Sequence, residues 1–232
     1  MRAHNTAADS ENKIHDDRVA SAYGFRGGLV PGVTVYGYMI PPVLERFGRD
    51  WLEHGGITVR FLAPCYEGAA LVVRCDGSIV TAEQEDGSLC ASGVVTVGEG
   101  VDQAPDTYPA HPLPEMDLRP VASSETIVPA RPLGAIRQTV EVQEEGAIPE
   151  CLLRLANEIL VRNFRMSPWI HAGSEVRHHR LAACGQEITV TGVIRECFER
   201  KGRRFAVAGI AMSASEGLSS VASIRHTFIY DL

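Results

Sequence analysis

The chain has 232 residues, with 22 Lys and Arg against 29 Asp and Glu, a net charge of −7, 45% hydrophobic residues and 22% charged ones. That is the balance of an ordinary soluble globular protein, long enough to bury a core as one large domain or two small ones. An acidic chain without a basic stripe argues against a nucleic-acid or anionic-membrane partner, and no run approaches the ~18 apolar residues of a membrane span.

Nothing at the N-terminus reads as a basic-then-apolar leader. The six cysteines (Cys65, Cys75, Cys90, Cys151, Cys184 and Cys197) never reach Cys-x-x-Cys spacing, and most sit in apolar runs. They read as reduced core residues of a cytoplasmic protein, with neither a disulfide framework nor a zinc site.

In chain order, residues 1–9 are polar and leave room for a shortened strand at most. A dense stretch follows from Ser10 to Gly32, holding Glu11, Asn12, His15, Asp16 and Asp17 and then a Gly/Pro-rich entry to an apolar segment. Asp16 and Asp17 suit the first turn of a short helix, where acids favour the dipole. Gly27-Gly28 reads as a turn needing φ > 0. Val33 to about Phe47 reads as a buried helix that must kink or restart at Pro41-Pro42. Strands are expected at 57–62, 69–80 and 89–97, the last two joined by a hairpin around Glu85-Asp86-Gly87.

Five prolines between 101 and 120 mark an extended connector, which would divide the chain into halves at 1–100 and 121–232. Beyond it, 127–142 looks extended, and Pro149 opens a helix from Glu150 to about Met166. Its apolar stripe is Leu152, Leu155, Ala156, Ile159 and Leu160. Strands are expected at 187–198, 204–214 and 220–230, with Arg200-Lys201-Gly202 turning the first pair. His171, His178 and His179 do not read as a metal site, because adjacent strand residues point to opposite faces.

The halves repeat. Pro31 and Pro149, and Trp51 and Trp169, each stand 118 residues apart. Leu62-Ala63-Pro64-Cys65 matches Leu181-Ala182-Ala183-Cys184, and Gly93-Val94-Val95 matches Gly209-Ile210-Ala211. The unit is a helix followed by at least three antiparallel strands, used twice. A helix so apolar needs a curved sheet around it, and two copies can share one sheet. The expected class is α+β with two pseudo-equivalent halves.

This pattern, with its opening motif, resembles the hotdog superfamily in its double form, and specifically the MaoC-like dehydratases and (R)-specific enoyl-CoA hydratases. Their motif reads Asp-x-Asn-Pro-(Ile/Leu/Val)-His, then five residues, then Ala or Ser. Asn12, Ile14, His15 and Ser21 fit it, Lys13 replaces the proline, and Ser10 falls where the aspartate stands. The lead Gly24 to Gly32 is similar to theirs as well.

The resemblance implies a tandem hotdog and a hydro-lyase of acyl thioesters on CoA or acyl carrier protein, without a cofactor, often as a homodimer. It implies that His15 and a carboxylate hold a water, with Asn12 fixing the imidazole or the loop. Asp9, Glu11 and, further off, Asp17 are the acids that could stand in for Ser10. On physical grounds a backbone N–H at the start of the helix, at Gly32, would receive the enolate oxygen. Val33, Tyr36, Tyr38 and Gly28 are further pocket candidates. No motif precedes Pro149, so one site per chain is expected. Two other readings remain open: a hotdog thioesterase, for which Glu45 is the one acid well within the helix, and a non-catalytic acyl-binding or partner subunit.

Overall fold

The structure, a computed structural model, describes residues 1–98, 104–214 and 219–232. The first residues of the expected connector, 101–103, and the end of the expected N-terminal half at 99–100 lie outside them. The helices are α1 (Asp17–Ala22), α2 (Gly32–Phe47), α3 (Trp51–His54) and α4 (Ile148–Asn163). The strands are β1 (Gly56–Phe61), β2 (Leu71–Asp76), β3 (Ile79–Gln84), β4 (Leu89–Thr96), β5 (Pro132–Thr139), β6 (Ile170–His178), β7 (Glu187–Arg200), β8 (Arg203–Ala214) and β9 (Ser219–Asp231).

All nine strands join one antiparallel sheet in the order β2-β3-β4-β1-β6-β9-β8-β7-β5. Reading outward from the β1–β6 junction, β1-β4-β3-β2 mirrors β6-β9-β8-β7. The junction pairs Gly56 with Arg177 through to Arg60 with Gly173. Helix α2 packs on β2, β3 and β4, α4 packs on β5, β7 and β9, and the two helices pack on each other. Val33, Val35, Tyr36, Met39, Ile40 and Val43 of α2 are all buried, so this helix is apolar on most sides and needs the cover that sheet and α4 together give. The chain is thus α+β, a helix and a curved antiparallel sheet used twice.

Four expectations need correction. The stretch 69–80 is not one strand: Gly77, at φ +57, turns the chain so that Asp76 pairs with Ile79 and β2 and β3 form a hairpin. Helix α2 neither restarts nor ends at Pro41-Pro42 but runs through both. Pro41 is exposed, so that gap in the hydrogen-bond ladder lies on the solvent side. The central strand β6 had no place among the expected strands. Finally, Gly93 lies on β4 beside the junction strand β1, whereas Gly209 lies on β8, two places from β6. The sheet makes β9 the counterpart of β4, so that match was fortuitous.

At the N-terminus a single bridge, Arg2 to Ala70, stands where a shortened strand was expected. Ala3 N–H donates to the Ala69 carbonyl at 2.8 Å, and Leu71 N–H to the Met1 carbonyl at 2.8 Å, which covers the start of β2. At the opposite end of the sheet, His111 bridges to Gly134 of β5, and Ala135 N–H donates to its carbonyl at 2.8 Å.

The second half is tied together by Asn163 at the end of α4. Its Oδ1 accepts from Gly134 N–H at 2.6 Å, and its Nδ2 donates to the carbonyls of Gly134 at 2.9 Å and Ile159 at 2.8 Å. Asn163→Ala would strand the buried donor and acceptor of Gly134. It is expected to cost about 2–4 kcal/mol, read as a lower urea midpoint at unchanged m-value; an unchanged midpoint would refute this role.

Candidate active site

The motif is folded by its own short side chains. Asn12 caps a 3₁₀ turn over Lys13–His15, and Asp16 caps α1 by accepting from Val19 N–H at 2.9 Å. Asp17 Oδ1 accepts from Gly28 N–H at 2.7 Å, and Leu29 N–H donates to the Ile14 carbonyl at 3.1 Å. These bonds clamp the motif against the lead into α2. Ile14, Ala20 and Leu29 form a small apolar cluster beneath the clamp. Neither Gly27 nor Gly28 has a positive φ, contrary to expectation. Gly28 is required instead because a Cβ there would lie 2.2 Å from the His15 carbonyl oxygen.

The clamp settles the state of His15. Its Nδ1 lies 2.7 Å from the Leu29 carbonyl, which can only accept, so Nδ1 carries the proton. The lone pair is then on Nε2, where Asn12 Nδ2 donates at 3.3 Å. Burial holds the imidazole below its ordinary pKa, partly offset by the Leu29 contact, so the neutral base persists at neutral pH.

Asn12 is fixed in turn by the other half of the chain. Trp169 N–H donates to its Oδ1 at 3.1 Å, and its Nδ2 donates to the Trp169 carbonyl at 3.0 Å. One amide therefore orients the imidazole and joins the two halves.

His15 and Asn12 line a cavity of about 230 Å³ with Gly32, Val35, Phe61, Asn157 and Trp169 among its other walls. Pro31 brings no side-chain cap to α2, so the first N–H groups, at Gly32 and Val33, have no partner within the helix. A Cβ at Gly32 would come within 3.1 Å of the Phe61 ring. The helix start therefore meets the cavity as bare backbone. Among the described residues, no Asp or Glu lines this cavity.

The other sequence candidates fall as follows. Ser10 Oγ donates to the Asn12 carbonyl at 3.3 Å and serves the loop. Glu11 Oε2 pairs with Arg119 Nη1 at 3.2 Å beside an adjoining hollow of about 310 Å³, which also touches Ser10, Val33 and His15. Asp9 is exposed and lines neither space, and Asp17 is spent on Gly28. No neighbouring acid takes the place of the aspartate at the cavity wall. Tyr36 is wholly buried in the core with its hydroxyl unpartnered among the described residues, and burial raises its pKa. Tyr38 accepts from His4 N–H at 3.0 Å, away from the cavity. Glu45 is exposed towards the far end of α2.

Two polar wall residues that the sequence did not place at the site come from the second half. Asn157 of α4 has its Oδ1 buried without a partner among the described residues. An amide four residues after Leu153 on a core-facing helix was the available signal. His171 of β6 also lines the cavity. Its Nε2 lies 2.8 Å from Ser174 Oγ, which lies 3.0 Å from His226 Nδ1, and the two rings stack at 4.1 Å. Burial pushes His171 well below its usual pKa, the nearby His226 adding to this, and burial alone takes His226 down to about 3.

No protein-family model and no curated protein sequence matches the chain. Solved structures do. A conserved hypothetical protein from Mycobacterium tuberculosis, described as having a double hotdog fold, is 11% identical over 97% of this chain and 90% of that one, with a TM-score of 0.64. A protein named GphF dehydratase 1 is 13% identical over 88% and 86%, with a TM-score of 0.61. An acyl-CoA thioesterase II from Mycobacterium marinum is 14% identical over 85% and 88%, with a TM-score of 0.54. At such identities likeness speaks for the fold, and it agrees with the mirrored strand order about the β1–β6 junction and the paired central helices. The chain is a double hotdog.

Proposed function

We propose that the chain is a hydro-lyase acting on an acyl thioester of CoA or a carrier protein. His15 is its acid–base group, and the Gly32 end of α2 is the seat of the thioester oxygen. The supporting observation is that a tautomer-fixed imidazole and an uncapped helix start line one cavity. That two neighbours in fold are named a dehydratase and an acyl-CoA thioesterase fits thioester chemistry at this site.

In hydration, a water displaces the 3.3 Å contact of Asn12 Nδ2 at His15 Nε2, and Nε2 takes a proton from that water as its oxygen bonds to C3 of the α,β-unsaturated acyl group. The π electrons move to the thioester oxygen, which the N–H groups at the helix start stabilise as an enolate. His15 then returns the proton to C2, and the enolate collapses to the 3-hydroxyacyl thioester. Dehydration is the reverse. With Ser10 where the resembled motif has aspartate, and no carboxylate on the wall among the described residues, one residue handles the proton in both directions. A cavity of 230 Å³, roughly eight water volumes, suits a short acyl chain.

The reading is tested by incubating the protein with crotonyl-CoA. Formation of 3-hydroxybutyryl-CoA without free thiol is expected. Release of thiol would favour the thioesterase, and thermal stabilisation by acyl-CoA without turnover would favour a binding subunit.

A further inference from the structure

Beside the cavity, on the outer side of the sheet, runs a larger groove of about 810 Å³. The two share Phe61, Leu62, Ala172, Arg203 and Ile229, so these residues stand between cavity and groove. In a chain of net charge −7, this groove is lined by four cations, Arg60, Arg200, Lys201 and Arg203, and one acid, Glu175. Glu175 is drawn off by Arg225 at 3.7 Å.

The β7–β8 turn adds an observation of a different kind. Arg200 and Arg203 stand directly opposite each other across the hairpin. Like charges so placed destabilise a hairpin unless an anion lies between or beside them. Lys201, at φ +53 in the turn itself, adds a third charge to the same few ångströms of backbone. Next to them Phe198 stacks on Phe205 at 5.1 Å, with Phe198 42% exposed. A flat aromatic face beside clustered guanidinium groups is the chemistry that receives a base and its phosphates.

We propose that this groove binds the adenosine 3′,5′-bisphosphate end of coenzyme A. The base would lie against Phe198 and the phosphates among Arg60, Arg200, Lys201 and Arg203, while the pantetheine arm passes Phe61 and Arg203 to bring the thioester to Gly32. This rests on the thioester reading above and narrows it, since a carrier protein presents a single phosphate and no base.

The test has two arms. In the first, adenosine 3′,5′-bisphosphate alone is titrated into the whole protein by calorimetry at two salt concentrations. Binding is expected to weaken at higher salt. The exposed double variant R200A/K201A should weaken it about tenfold or more, and F198A should weaken it with little change in salt dependence. In the second, crotonyl-CoA and crotonyl-pantetheine are compared as substrates. R200A/K201A should raise KM for the CoA thioester about tenfold and leave the pantetheine thioester unchanged.

Bisphosphate binding that ignores these substitutions, or a preference for an acyl carrier protein over CoA, would overturn the proposal. Absence of turnover with every thioester would sink the hydro-lyase reading instead, while the bisphosphate titration would still decide the groove.

Discussion

His15→Ala is expected to lower kcat/KM for hydration of crotonyl-CoA by about 10²–10⁴, the range that a single general acid–base group supplies. The Leu29 carbonyl removes Nδ1 from the chemistry, so the whole effect runs through Nε2. The same placement sets a pH dependence. Burial depresses the pKa of His15, so the neutral base persists as pH falls through the ordinary histidine range. The acid limb of kcat/KM should therefore lie below 6.5, with activity lost as pH drops through it. A variant that keeps its thermal midpoint and loses turnover locates the chemistry at His15. Robust turnover by His15→Ala would end that assignment.

The second large effect concerns stability in acid. His171, His178 and His226 are fully buried, and burial keeps them neutral: His178 is brought down to about 4 and His226 to about 3, with His171 well below its usual value. The unfolded chain titrates all three near 6.5. Between that pH and their folded values the unfolded state holds protons that the native state refuses, so stability falls as pH falls. Each group contributes up to about 1.4 kcal/mol per pH unit, or about 4 for the three, against a typical total of 5–15. Cooperative unfolding is expected around pH 5, well before most carboxylates protonate.

Urea midpoints measured from pH 7.5 to 4.5 would show this slope, and His178→Leu should flatten it by about a third. His178 is the cleanest member to remove, because its Nε2 has no partner among the described residues and its ring packs edge-on against Trp51 at 4.9 Å. Stability that does not change between pH 7 and 5 would refute the account.

What the sequence made legible was local. The Asn12–His15 spacing, the Gly/Pro entry and the apolar run behind it lie within one stretch of chain, and short-range capping bonds fold them as their types suggest. The turns at Asp86-Gly87 and Lys201-Gly202 carried their own signals too. Strand β6 did not, because its inward positions include His171, Ser174 and His178 where a buried strand ordinarily shows Val or Ile. The fate of Glu11 was illegible for another reason: its partner Arg119 lies 108 residues away. The same holds for Asn12, whose role depends on the backbone of Trp169, 157 residues on. Residues that complete a cavity across a long sequence separation leave only faint traces, such as an amide on a core-facing helix.

The two ends of the sheet bear on how copies of this chain could meet. Strand addition needs a free row of backbone donors and acceptors, yet residues 1–3 occupy the start of β2, and the segment through His111 occupies the middle of β5. Edge-to-edge growth, the usual route from a flat sheet to fibres, thus meets a bridge from the chain's own backbone at one point of each edge. A truncation that removes residues 1–3 should lengthen the free edge at β2 and make the protein more prone to aggregation at concentrations the full chain tolerates.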